Sequence, residues 1–313
     1  MGLHRSEGAD RLAPARPLRP GHPRQGRSLL SAPAEDHAPV PRPRSEMRMA
    51  GIARYRIVNS CAPRPFAGNP ICVFLDEPDG SVMQSIATQM NQSCAIFPVR
   101  TGEDSYRMRL FTPEREVAYA GSPSLSAAWT MGDGVWTQTT SGAVARIEVK
   151  GDMAWMEQPQ PIIEEIEEDD LIEGLGLRSV ETIVRCTVAS NSYVLAVTND
   201  DPAGFAPRPD VLMRPATRFG PALVGAVVRH ADDEIEARMF GPAHGVAEDP
   251  ACGAVAGALG TLMHRHFGTS QTVSLRQGER IGRPSLISVD IGGPAIRVGG
   301  RQIAMGEGHV DLP

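Results

Sequence analysis

Two short segments carry most of the chemistry legible in this chain of 313 residues. Arg109-Leu-Phe-Thr-Pro113 is followed by Val117-Ala and then Ser122-Pro123, and Arg238-Met-Phe-Gly-Pro242 is followed by Val246-Ala and then Asp249-Pro250. Each reads as strand, turn and helix, the helix opened by an oxygen-bearing N-cap, Ser122 or Asp249, with proline in the first helical position. A helix start presents unpaired N–H groups and a partial positive charge, so it suits an anion. Two such starts facing one cleft would hold a carboxylate, acidify the C–H bond beside it and admit groups from opposite sides. Taken singly, either segment reads equally as a well-capped core helix. The duplication, with a matching loop before each helix, favours a site.

Other residue types narrow the chemistry. The five cysteines, at 61, 72, 94, 186 and 252, are odd in number and show no C-x-x-C spacing, which disfavours structural zinc and a disulfide framework. No metal is expected. Cys252 falls in the first turn after Asp249-Pro250, where the helix dipole favours a thiolate while Asp249 opposes it. Lys150 is the only lysine and falls in an expected surface strand, which argues against Schiff-base chemistry. The net charge is -6 and no basic cluster adjoins exposed aromatics, so nucleic acid is not an expected partner. No apolar run reaches the length of a bilayer span and the amino terminus lacks a secretory h-region, so a cytoplasmic protein away from membranes is expected.

At 41% hydrophobic and 22% charged, the composition is that of a globular protein, and the length accommodates two domains. Residues 1–46, rich in Arg, Pro and Ser, cannot offset their ordering entropy and read as a disordered or non-native extension, with the functional start at Met47 or Met49. Strand patterns follow at 55–59, 71–75, 95–99, 106–111, 145–149, 153–157, 183–189, 193–197, 222–229, 235–240, 272–275, 286–289 and 302–306. Helices are expected at 82–91, 123–131 and 250–267, and the acidic stretch 164–170 reads as a solvated helix start or linker. The second and third helices are apolar nearly all round, so they must be buried. The expected fold is therefore α+β: two pseudo-symmetric lobes, each a mostly antiparallel sheet wrapped around a central helix. Residues 47–160 with 300–313 form one lobe and 161–299 the other.

From about Met49 onward the chain resembles the phenazine-biosynthesis isomerase family, of the diaminopimelate-epimerase-like fold. The motifs that carry the resemblance are Phe66-Ala-Gly-Asn-Pro70, Met83-Gln-Ser-Ile-Ala87 leading to Asn91, Phe111-Thr-Pro113, Gly121-Ser-Pro123, Glu248-Asp-Pro-Ala-Cys-Gly253 and Arg276-Gln-Gly-Glu-Arg-Ile-Gly-Arg-Pro284. The resemblance implies an active site between two similar lobes, proton transfer without a cofactor, and a homodimer. It also implies where the sequence departs. Cys94 stands where the family usually has a Glu base, Ser122 where it has His, and Cys252-Gly253-Ala254 where it has Thr-Gly-Ser, while Asp249 is unchanged. Cys252 also falls where amino-acid epimerases of this fold carry a catalytic cysteine.

These departures read either as a decayed site with two small buried thiols or as a converted one, and two cysteines on active-site positions favour conversion. A thiolate, titrating near 8.5 against about 4.3 for Glu, is the stronger proton acceptor by about 4 units, roughly 5.7 kcal/mol. The function expected is an isomerase shifting a C=C bond by proton transfer in a small carboxylate-bearing intermediate of secondary metabolism. Antibiotic-pathway substrates such as alkyl-proline precursors are implied by the resemblance. Cys94, Asp249 and Cys252 are the expected catalytic residues; Ser122, Gly121, Gly253, Ala254 and Asn69 are expected to bind substrate. An epimerase using Cys94 and Cys252 as a two-base pair, and a catalytically silent small-molecule binder, are the alternatives. Weaker signals are His244, a loop residue that could replace the missing imidazole but reads as surface; His264 and His266 at a helix C-terminus; and the turn Gly278–Arg283, which could close over substrate. Cys61, Cys72 and Cys186 are assigned to packing.

Overall fold

The computed structural model describes residues 51–313 apart from residue 221; the expectation for residues 1–46 lies outside them. The first part of the chain runs β1 (Ile52–Ser60), β2 (Asn69–Phe74), α1 (Met83–Met90), β3 (Cys94–Arg100), β4 (Ser105–Phe111), β5 (Glu116–Val117), α2 (Gly121–Met131), β6 (Gly134–Thr139), β7 (Val144–Lys150) and β8 (Met153–Gln158). The remainder runs β9 (Ile162–Glu165), α3 (Asp169–Leu175), β10 (Thr182–Val188), β11 (Asn191–Val197), α4 (Pro209–Arg218), β12 (Leu223–Arg229), β13 (Glu234–Gly241), β14 (Val246–Asp249), α5 (Gly253–Phe267), β15 (Thr272–Gln277), β16 (Ser285–Asp290) and β17 (Ile296–Asp311). The architecture is mixed α and β, dominated by sheet and barrel-like. No described helix is long and apolar enough to cross a membrane.

Pairing closes a ring. β1 pairs β2, β2 pairs β3, β3 pairs β4, β4 pairs β6, β6 pairs β7 and β7 pairs β8. β8 then pairs the first part of β17, and the second part of β17 returns to β1. Inward side chains alternate as period-two strands require: Ala145, Ile147 and Val149 on β7, Ala154 and Met156 on β8. They pack around α2, which is buried from Gly121 to Ala128. Its polar side chains are satisfied inside: Ser124 Oγ donates to Ala120 O at 2.7 Å and accepts from Gln138 Nε2 at 2.8 Å, while Ser126 Oγ donates to Gln302 Oε1 at 2.8 Å. These bonds let a serine-bearing helix sit in a core without leaving unpaired groups.

The remaining strands wind on from β17 through β16, β15, β13, β12, β11 and β10 to β9, with β14 on β13. α5 is buried from Gly253 to Met263 against them. Four pairings are parallel, β2 with β3, β4 with β6, β11 with β12 and β13 with β15; every other pairing among the described residues is antiparallel. Sequence patterning missed α4, whose buried Val211, Leu212, Pro215 and Ala216 lie on one face but whose internal Pro215 masks the pattern. The acidic stretch divides: its beginning is the strand β9, paired to β10, and its end opens α3 with Asp169 and Asp170 in the first turn.

Candidate active site

The starts of α2 and α5 meet. A Cβ on Gly121 would collide with the backbone of Gly253 and Ala254, and one on Gly253 would come 3.0 Å from Ser122 N. Only glycine permits that approach. Neither helix has a side-chain cap, which leaves first-turn N–H groups to be satisfied by other partners. The N-caps are not the expected residues. Ala120 is the N-cap of α2, and Ser122 lies inside the helix with its hydroxyl donating to Ala251 O at 2.5 Å. Cys252, not Asp249, is the N-cap of α5; Asp249 ends β14, and Pro250-Ala251 form a turn in which Ala251 N–H donates to Asp249 Oδ1 at 3.0 Å. Proline's fixed φ suits that turn as well as it suits a first helical residue.

Around this junction lies a cavity of about 630 Å³, and Asn69, Cys94, Gly121, Ser122, Asp249, Cys252, Gly253 and Ala254 all line it. Cys94 arrives from the other side of the chain: α1 ends at Asn91 in a left-handed conformation, and the chain enters β3 at Cys94, in register with Ile71 of β2. Asn69, at the head of β2, donates through Nδ2 to Asp249 Oδ1 at 3.4 Å, while its Oδ1 is buried without a partner. Gln158 of β8 clamps the first turn of α5, donating to Gly253 O at 2.8 Å and accepting from Gly257 N at 3.2 Å.

The electrostatics of the thiols differ from expectation. Burial pushes Cys94 up to about 12, with repulsion from Cys72 and Asp249 adding to it and a backbone bond from Phe111 opposing it. Cys252 is raised by burial first and by Asp249 second; burial likewise raises Asp249, against hydrogen bonds from Ala251 and Cys252. The dipole advantage expected for a Cys252 thiolate is thus outweighed: with only 6% of the residue exposed, desolvation disfavours the anion. Both thiols rest protonated at neutral pH. Cys61, Cys72 and Cys186 are buried in the core.

Another part of the cavity lining is built by residues of which sequence reasoning singled out only His244. Arg115, in the turn between β4 and β5, places Nη2 2.5 Å from His244 Nδ1. His244 is half-buried in the cavity wall, not a surface loop residue as expected. Tyr119, Asn191, Ser192 and Tyr193 complete this side, with Asn191 Nδ2 donating to Tyr119 O at 3.2 Å. Arg115 and His244 occupy matching places in the duplicated segments, a signal the sequence held. His264 bonds Thr269 O at the end of α5, and the Gly278–Arg283 turn, tied to Phe66 O through Arg283, backs Pro250 of the lining without lining the cavity itself. Among the described residues no group of three or more His, Cys, Asp or Glu side chains could hold a metal ion.

Comparison with known proteins agrees with the fold. The phenazine biosynthesis-like protein family (PhzC-PhzF) matches residues 58–308. Trans-2,3-dihydro-3-hydroxyanthranilate isomerase of Pseudomonas aeruginosa is 32% identical over 279 residues, covering 83% of this chain and 99% of that protein. Among solved structures, a PhzF-family protein of Bacillus anthracis has a TM-score of 0.74 at 18% identity, covering 84% of this chain and all of that one. One from Enterococcus faecalis has a TM-score of 0.71 at 22% identity, with the same coverage. A match over this much of the sequence, on a fold whose helix starts and motif residues converge on one cavity, places the chain in the phenazine biosynthesis-like (PhzC-PhzF) family of isomerases.

Proposed function

We propose that this protein is a cofactor-independent isomerase that moves a C=C bond by a 1,3 proton shift in a small carboxylate-bearing secondary metabolite. The observation that carries the proposal is the convergence on one cavity of two uncapped helix starts, one half-buried carboxylate and two protonated thiols. The substrate carboxylate sits against the N–H groups of α2 and α5, where anion binding stabilises the dienolate-like charge that develops next to it. Asp249, raised above the ordinary carboxylate range by burial, is the base that removes the proton. Cys94 delivers a proton to the far end of the allylic system from its thiol. A thiol pushed up to about 12 is a donor suited to a carbanion and would be a costly resting base. The proton on Asp249 then returns to the Cys94 thiolate, and Cys252 holds the Asp249 carboxylate in place.

The two lobes of the proposal are pseudo-symmetric. Pairings from β1 to β8 recur in the same order from β10 to β17, with α2 and α5 in equivalent places. Residues 47–160 with 300–313 make one lobe and 161–299 the other, in a cytoplasmic homodimer. The second reading, a two-thiol epimerase, is favoured by the presence of both Cys94 and Cys252 on the cavity wall. Turnover of cyclic and acyclic unsaturated carboxylates in heavy water separates the readings. A moved double bond shifts the ultraviolet absorbance, whereas epimerisation changes optical rotation at constant absorbance. Asp249→Asn and Cys94→Ala are each expected to lower the isomerisation rate by about 10² to 10⁴. Normal turnover by Cys94→Ala would remove its role.

A further inference from the structure

Arg115 is a cation on the cavity wall with no carboxylate partner among the described residues. Glu116, the nearest acid in sequence on one side, is taken by Arg109 through two bonds of 2.8 and 2.7 Å. Glu114, on the other side, packs its carboxylate over Gly245 beside His244 and, like Glu116, lines the same cavity without an ion pair to Arg115. Arg115 Nη2 is held at 2.5 Å by His244 Nδ1, while its Nε is buried with no partner. A buried guanidinium N–H left unpaired is costly, and a ligand that supplies an acceptor recovers that cost. Ser192 adds a second donor to the same cavity: its Oγ is also buried without a partner. The contact with His244 fixes where the Arg115 fork points.

Arg115 and His244 lie 129 residues apart, the spacing that also separates Arg109-Leu-Phe from Arg238-Met-Phe. They are thus equivalent residues of the duplicated segment, and their meeting point lines the same cavity as the helix starts. The geometry points to a second oxyanion subsite at Arg115 and Ser192, so that the substrate of this cavity is a dicarboxylate. The inference rests on the reading of the helix starts as the first carboxylate site. A guanidinium fork takes a carboxylate through two parallel bonds, which a lysine cannot reproduce.

The test compares matched probes at constant ionic strength: butyrate against glutarate and benzoate against isophthalate, read as a shift in unfolding temperature and as Kd by calorimetry. The dicarboxylate of at least one pair is expected to bind about tenfold tighter than its partner. Arg115→Gln is expected to abolish that preference with monocarboxylate binding unchanged, and Arg115→Lys to restore part of it. The unliganded unfolding temperature of each variant reports whether it folds. If glutarate and isophthalate bind no tighter than their partners, or if Arg115→Gln keeps the preference, the second subsite is wrong while the first stands. If neither series stabilises the protein, the carboxylate site at the helix starts fails with it.

Discussion

Cys94 and Cys252 share a cavity wall, and their burial decides what they can do there. A thiol whose anion is desolvated stays protonated, so its reactivity toward an electrophile follows the small thiolate fraction. Alkylation by iodoacetamide at pH 8, read peptide by peptide, is expected to proceed at Cys94 on the order of 10² or more slower than at a free thiol. Titration of either cysteine below pH 8.5 would overturn its role as a proton donor and restore a thiolate base. The sequence made these residues visible because their types stand out in matching motifs. It could not reveal their protonation, which depends on solvent exclusion by strands distant in the chain. Arg115 stayed hidden for the same reason: it lies in an ordinary polar turn, and its meeting at 2.5 Å with His244, the matching residue of the duplicated segment, marks it.

At the scale of elements, the approach of α2 to α5 is the decisive contact. Gly121→Ala is expected to cost about 1–3 kcal/mol, because its methyl would displace the backbone of Gly253 and Ala254. Gly204→Ala, whose methyl meets nothing within 4 Å, is the control and should be near neutral. Thermal unfolding of the two variants checks the difference. Both buried helices were legible, since an apolar helix without a polar face has nowhere else to go. The caps were read wrongly because Ser-Pro and Asp-Pro are helix-start signals that serve turns equally well. α4 was missed because of Pro215, and of α3 only the start was read, at the end of the acidic stretch, while the long alternating strands β7 and β8 announced themselves.

For the whole molecule, buried thiols set the behaviour in alkali. All five cysteines are buried, and burial raises each of them, Cys61 to about 11 and Cys72 and Cys186 to about 12. A group whose folded pKa exceeds its unfolded value contributes stability that is fully present below the unfolded pKa and is lost as pH rises through the folded one. The urea midpoint is therefore expected to hold up to about pH 8.5 and to fall steadily toward pH 12. Cys72→Ala should lower the midpoint at pH 7 yet flatten that decline; an unchanged slope would place the alkaline loss elsewhere.

The junction of Gly121 with Gly253 and Ala254 is made backbone to backbone, and the Ser122 hydroxyl at its edge is committed to Ala251 O. A lineage, or an engineer, seeking a new substrate therefore has little to vary at the inner floor. Change must come from the turns that carry Arg115 and His244 and from Ser192 at the head of β11, where a replaced residue alters what the cavity accepts without unseating the helices. The reaction and the choice of molecule are in that way written in separate parts of the chain.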